Sequence, residues 1–237
     1  MSPETLLQVD GLHSGYGEKP VLQGVTFRLV KGEIAAFIGR NGVGKSTLLR
    51  TLIGLLPTRK GSILYRGKDF ARLASHKRAL LGVGYVPQGR DVFPQMTVEE
   101  NLRFTQIVTR HSQRQARERI YEIFPILYER RNQKAGTMSG GQQQQLAIGR
   151  ALIGQPSLIL LDEPSEGIQP SIVQEIAAVV KKLNRETGAT VLIVEQNFAM
   201  ISTIAQRALV MDKGRLVAEL SSDEVADRDL MRGYLSV

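Results

Sequence analysis

An apolar run ending at Ile38 is followed by Gly39-Arg40-Asn41-Gly42-Val43-Gly44-Lys45-Ser46-Thr47 and then by the helical pattern LLRTLIGLL. This is G-x-x-x-x-G-K-[ST] in a strand–loop–helix setting, the arrangement that cradles a phosphate chain. Gly39, Gly42 and Gly44 permit backbone angles closed to other residues, so successive N–H groups can converge on phosphate oxygens. The following helix aims its positive dipole end at the same place. In this reading Lys45 pairs with the β- and γ-phosphates, Ser46 places its hydroxyl on Mg²⁺, and Thr47 reaches the α-phosphate side. A second constellation is SLILLDE at 157–163, a buried-strand pattern that stops at two acids. Ligands of open α/β sheets bind off the carboxyl ends of strands. Asp162 is therefore expected on the Mg²⁺ shell, and Glu163 is expected to polarise a water aimed at the γ-phosphate.

A third stretch, MSGGQQQQLAIGRAL at 138–152, opens a helix with two glycines and four glutamines before an apolar face resumes at Leu146, Ile148 and Leu152. A helix start of this kind is an anion site built from backbone alone. One phosphate chain does not need two such sites in one chain.

The elements that must position these residues follow from pattern. Short apolar or β-branched runs at 6–10, 25–30, 33–39, 83–88, 158–163, 190–195 and 208–214 predict strands. Helical periodicity recurs at 44–56, 97–108, 112–127, 140–154, 170–186 and 197–205. Alternation of the two predicts an α/β fold with a largely parallel sheet. Residues 91–155 read as successive helices without a convincing strand. The expected organisation is one domain, with an α/β core at 1–90 and 156–237 and a helical lobe inserted at 91–155.

Composition bounds the function classes. The 237 residues contain no cysteine, which excludes disulfides and thiolate metal sites. No signal-peptide pattern opens the chain and no apolar run reaches membrane-spanning length, so a soluble, intracellular protein is expected. The formal charge of +8 calls for an anionic partner or a solvated basic face. Basic residues crowd between Arg110 and Lys134, but Glu118, Glu122 and Glu129 interrupt them, which favours the solvated face.

The ordered set of a phosphate loop, Gln88 after a strand, SGGQ on a helix and LLLDE resembles the nucleotide-binding subunit of ABC transporters. The resemblance runs from Tyr16 to the C-terminus. It implies a P-loop NTPase core with an inserted helical subdomain, ATP hydrolysis with Mg²⁺, and two cassettes closing around two ATP molecules. Ser139, Gly140, Gly141 and Gln142 match the signature sequence that, in this family, binds the γ-phosphate of an ATP held by a second subunit. Met138 stands where Leu is usual, and the glutamines that follow are expected to coat a face turned to a partner and water. Tyr16 matches the aromatic that stacks on adenine, and Gln88 the residue that reaches Mg²⁺ and the attacking water. SEGIQP at 165–170 occupies the loop that crosses the dimer interface, with Gln169 replacing the usual Asp. Gln196, in VLIVEQN, stands where relatives commonly place a histidine on the γ-phosphate. His13, His76 and His111 all precede the signature, so none can take that place.

Two function classes follow from the resemblance. One is the motor subunit of a membrane importer, working with a second ATPase subunit, two membrane permeases and, indirectly, a periplasmic binding protein, at the inner face of the cell membrane. The other is an ATPase of the same superfamily acting on nucleic acid or ribosomes. The stretch between Ser46 and Ser139 has no heptad repeat and the chain carries one cassette, which favours the importer, with no nucleic acid expected as partner. YVPQGRDVFPQMTVEENL, EGIQPSI and QQQQLAIGRAL are similar to the smaller ATPase subunit of branched-chain amino-acid and urea/amide importers, the urea-type branch most of all.

Overall fold

The computed structural model describes residues 4–109 and 114–235. The chain opens with a long hairpin, β1 (Thr5–Tyr16) and β2 (Lys19–Val30), then enters the central strand β3 (Ile34–Ile38) and the helix α1 (Lys45–Ile53). A short excursion follows through β4 (Lys60–Tyr65), β5 (Lys68–Asp69) and α2 (Ser75–Leu80) to β6 (Val83–Val86). Four helices come next: α3 (Val98–Thr109), α4 (Arg114–Ile123), α5 (Pro125–Glu129) and α6 (Gly140–Ile153). The chain then alternates through β7 (Leu158–Asp162), α7 (Pro170–Thr187), β8 (Thr190–Val194), α8 (Phe198–Ile204) and β9 (Arg207–Asp212). It ends with β10 (Arg215–Ser221), α9 (Ser222–Ala226) and α10 (Arg228–Leu235).

The expected α/β fold with inserted helices is present. Six strands form one sheet in the order β10-β9-β3-β8-β7-β6, parallel except for the hairpin pairing of β10 with β9. Every residue of β3, β7 and β8 is buried. Such strands read as continuous apolar runs because both their faces are covered. Ile34, Ala36 and Ile38 face the core shared with α6, α7, α8 and the helical lobe. Ala35 and Phe37 face α1 and the hairpin, where Phe27 meets Phe37 edge-on at 5.0 Å between ring centres.

The elements α2, β10, α9 and α10 have no counterpart in the sequence reading, and three further features differ from it. A second, antiparallel sheet, β2-β1-β4-β5, lies over α1. Its strand β4 is short and glycine-containing, and pairing with β1 (Leu7 opposite Tyr65) and with β5 makes it a strand. The predicted helix at 112–127 is broken at Phe124: Pro125 opens α5, since proline has no N–H to continue a helix. Its first residues, and part of the basic run, fall outside the described residues. Gln144 and Gln145 are buried, not turned outward, because α6 is the central helix of its lobe and packs on α3, α4, α5 and α7. Among the described residues, no helix is long and apolar enough to cross a membrane.

The phosphate-loop helix is anchored from behind. Arg78, at 2% exposure, donates to the carbonyls of Thr51 and Leu52 at the end of α1 and to those of Ala71 and Leu73, each at 2.8 Å. Its guanidinium also lies over the Phe70 ring at 4.8 Å. Arg78→Met should leave these buried acceptors without donors and cost about 3 kcal/mol, roughly 10 °C in Tm. Arg78→Lys should recover part of this, since an ammonium has three donors and no planar fork. Thermal unfolding of the three proteins is the measurement.

Candidate functional site

The parallel register places Phe37 of β3 beside Val194 of β8, and Val194 beside Asp162 of β7. The three segments leaving these strands, 39–44, 195–197 and 163–169, therefore emerge side by side. Gly39 leaves β3 at φ 143°, and a Cβ there would stand 2.3 Å from the Met211 carbonyl oxygen. Only glycine starts this turn.

Asn41, Gly42, Gly44, Lys45, Ser46, Thr47, Tyr16, Gln88 and Glu163 line one cleft of about 360 Å³. Lys45 lies almost wholly inside it, with Nζ donating to the carbonyls of Gly39 (2.8 Å) and Arg40 (2.9 Å). Burial lowers the Lys45 pKa, opposed by the carboxylates of Glu163, Asp162 and Glu195. Val43 is buried, and its carbonyl accepts from the Gly214 amide at 2.8 Å, which ties the loop to the β9–β10 turn. Ser46 Oγ donates to Asp162 Oδ1 at 2.9 Å. Asp162 is 1% exposed, and burial raises its pKa despite the Ser46 hydrogen bond. Tyr85 Oη reaches its other oxygen at 3.4 Å. Burial, reinforced by the Asp162 carboxylate, pushes the Tyr85 phenol up to about 12, so it stays a donor.

Glu163 has φ 46°, a left-handed conformation uncommon outside glycine and found disproportionately at functional sites. Each of its oxygens accepts from a neutral amide: Oε1 from Gln196 Nε2 at 3.1 Å and Oε2 from Gln88 Nε2 at 3.3 Å. Lys45 Nζ stands 3.9 Å from Oε1. Gln196 Nε2 also donates to Asn41 Oδ1, so this half-buried side chain spans the phosphate loop and the acidic strand end. Gln88 donates in addition to Glu166 Oε2 at 3.0 Å. Tyr16 is 43% exposed, and its hydroxyl accepts from Arg50 at 3.0 Å.

Ser139, Gly140, Gly141 and Gln142 do not line this cleft. Ser139 caps α6 reciprocally with Gln142: its hydroxyl accepts from the Gln142 amide while the Gln142 side chain accepts from the Ser139 amide. The first-turn N–H groups of Gly140 and Gly141 have no carbonyl within the helix to take them. A Cβ on Gly140 would meet the Arg90 guanidinium at 2.8 Å, and one on Gly141 would meet Ile172 at 2.9 Å. The sequence reading missed Arg50, Arg90, Glu166 and Glu195. For Glu195 the signal was available: a carboxylate directly after the apolar run VLIV, as Asp162 follows LILL. A larger cavity of about 530 Å³ opens at the amino ends of the strands, beside Leu152 and Leu183, and no predicted site residue lines it.

Because the folded chain raises the Asp162 pKa, its ionised form costs stability that the protonated form does not. That cost grows as pH rises from the ordinary carboxylate range through the raised value. Asp162→Asn keeps an acceptor for Ser46 and removes the charge. It should stabilise the nucleotide-free chain by about 1 kcal/mol at pH 8, with the gain disappearing towards acid pH. Tm measured against pH for both proteins checks the sign.

A family model described as "ABC transporter" matches residues 22–166. The high-affinity branched-chain amino acid transport ATP-binding protein BraG of Pseudomonas aeruginosa is 46% identical over 213 residues, covering 90% of this chain and 91% of BraG. The lipopolysaccharide export system ATP-binding protein LptB of Escherichia coli K12 is 32% identical over 233 residues, covering 97% of this chain and 96% of LptB. Among solved structures, the ADP conformation of MJ1267, an ATP-binding cassette of an ABC transporter, superposes with a TM-score of 0.85 at 27% identity, covering 98% and 99% of the two chains. Relatives named for amino-acid transport and for lipopolysaccharide export both match over nearly their whole length, so the urea and branched-chain branch is not singled out. The chain belongs to the ABC transporter family and is one of its ATP-binding, ATP-hydrolysing subunits.

Proposed function

We propose that this chain is the smaller ATPase subunit of an importer for branched-chain amino acids or for urea and related amides. In this reading it works at the inner face of the cell membrane with a second ATPase subunit and two permeases. The 46% identity to BraG, together with EGIQPSI and QQQQLAIGRAL, supports the cargo class. The division into a core at 1–90 and 156–237 and a lobe at 91–155 belongs to the same reading.

The observation that carries the mechanism is the convergence of Lys45, the Ser46–Asp162 pair, Glu163 and Gln196 at neighbouring strand ends. These residues fit ATP with Mg²⁺. A desolvated ammonium hydrogen-bonded to two carbonyls is ready to exchange them for phosphate oxygens, and a hydroxyl beside a buried carboxylate is a hard-cation donor set. Ser46, Asp162 and Gln88 would hold the metal, which supplies charge neutralisation at the phosphates. Gly39 to Thr47 bind the phosphate chain and Tyr16 stacks on the base. Glu163, held by two amides, orients the attacking water for in-line displacement. Gln196 offers an N–H to the γ-phosphate and a carbonyl to the water. It carries no titrating charge. Ser139 to Gln142, outside the chain's own cleft, read the γ-phosphate held by the partner ATPase.

Glu163→Gln should retain ATP binding and reduce turnover by about a hundredfold or more, trapping a closed dimer. Gln196→Ala should slow this site, and Gln196→Glu should slow it further by repulsion with phosphate. The site's turnover should show no limb near pH 6.5, the reference value of an imidazole. These rates are read in the assembled complex with the partner's site disabled; parental rates in Glu163→Gln refute the catalytic assignment. The partner reading is tested by co-expression with candidate permeases and uptake of labelled leucine or urea. Tight DNA binding at physiological salt without permease binding favours the nucleic-acid ATPase instead.

A further inference from the structure

Glu195 is an acid that the proposed chemistry does not use. Its side chain is 2% exposed, does not line the nucleotide cleft, and follows directly on the apolar strand β8. One carboxylate oxygen accepts from the backbone N–H of Ser165 at 2.8 Å. The other accepts from the N–H groups of Gln196 at 2.7 Å and Asn197 at 2.9 Å. All three donors are main-chain groups of two separate loops. Ser165 belongs to the loop that begins with the left-handed Glu163 and runs on to Gln169. Gln196 spans Asn41 and Glu163, and Asn197 caps α8 through the Met200 amide.

We infer that Glu195 is a positioning residue that locks the loop after Glu163 to the backbone of Gln196, so that the water-orienting acid and its amide partner hold one fixed geometry. The physical case rests on burial and valence. A buried carboxylate is retained only where hydrogen bonds compensate its desolvation, and charge-assisted bonds to N–H groups are the strong kind. Here all of them fall on backbone N–H groups of the two loops, alongside main-chain bonds at the same edge such as Glu163 N–H to the Val194 carbonyl at 2.9 Å. A carboxamide cannot replace the carboxylate, because one of its two ends is a donor and would face an N–H. Glu195 acts without touching nucleotide. Displacement of the 163–169 loop therefore moves the Gln196 backbone, and with it the bridge to the phosphate loop.

The inference rests on the proposed roles of Glu163 and Gln196, and a double-mutant cycle separates the two. Turnover is measured in the assembled complex with the partner's site disabled, for Glu195→Gln, Gln196→Ala and the pair. Glu195→Gln should lower kcat by about tenfold with the KM for ATP within about twofold, the pattern of lost positioning. Combined with Gln196→Ala it should add little, because both changes disable one unit. Amide exchange should quicken at 165–168 and 195–198 while 190–194 keeps its protection. If Glu195→Gln folds poorly, Glu195→Asp retains the charge on a shorter stem and should show a smaller fall in kcat at unchanged KM. Parental kcat in both Glu195 variants overturns the inference, as does a double variant whose losses multiply. Parental turnover in Gln196→Ala overturns the Gln196 role and, with it, the proposed route from Glu195.

Discussion

The parallel register of β3, β8 and β7 is the constraint on which the site depends. Since β8 lies between the other two, the segment after Val194 emerges between the phosphate loop and the acidic strand end. That placement alone allows one glutamine side chain to reach both Asn41 and Glu163. A one-residue slip in either pairing would reverse every side chain of a strand buried on both faces. The site geometry is thus held by the same apolar contacts that hold the sheet.

Polar groups are buried against this core at some cost to stability. Lys45, Asp162 and Glu195 are each almost inaccessible, and the pKa values of the first two move in the directions desolvation dictates. The carboxylates lessen the penalty on Lys45, and Ser46 lessens it for Asp162, but burial dominates in both. A site assembled for a polyanion and a divalent cation keeps its own charges poorly solvated, so the ligands have much to satisfy. The fastening of α1 by Arg78 and of the loops after β7 and β8 by Glu195 supplies the rigidity that such a site requires.

The segment after β6 links the cleft to the helical lobe. Gln88 donates to Glu163 and Glu166, while Arg90 reaches the Glu166 and Gly167 carbonyls at 3.4 Å and lies against Gly140. Arg150 in turn donates to the Asp91 carbonyl and stacks on Phe93. Two consecutive residues here, Arg90 and Asp91, have positive φ, at 74° and 48°. A turn of this conformation makes hydrogen bonds to the acidic loop on one side and to α6 on the other. This turn is a short link between α6 and the loop that follows Glu163.

The phosphate loop, the Asp162–Glu163 pair and the alternation of strands and helices were legible because each is a local pattern. Glycine at fixed spacing, an apolar run ending in acid, and a change of hydrophobic period all act through near neighbours. Gln196 could be singled out by its place after β8, but not its bridge, because that requires knowing that β8 sits between β3 and β7. Strand order is set by long-range packing of faces that look alike in sequence. The same limit hid β4, whose pairing with β1 outweighs a weak local preference. It also hid the burial of Gln144 and Gln145, which depends on how many helices surround α6. Composition and motif determined what chemistry the chain carries. Which side chain touches which was decided only when two sheets and a helical lobe closed on a common core.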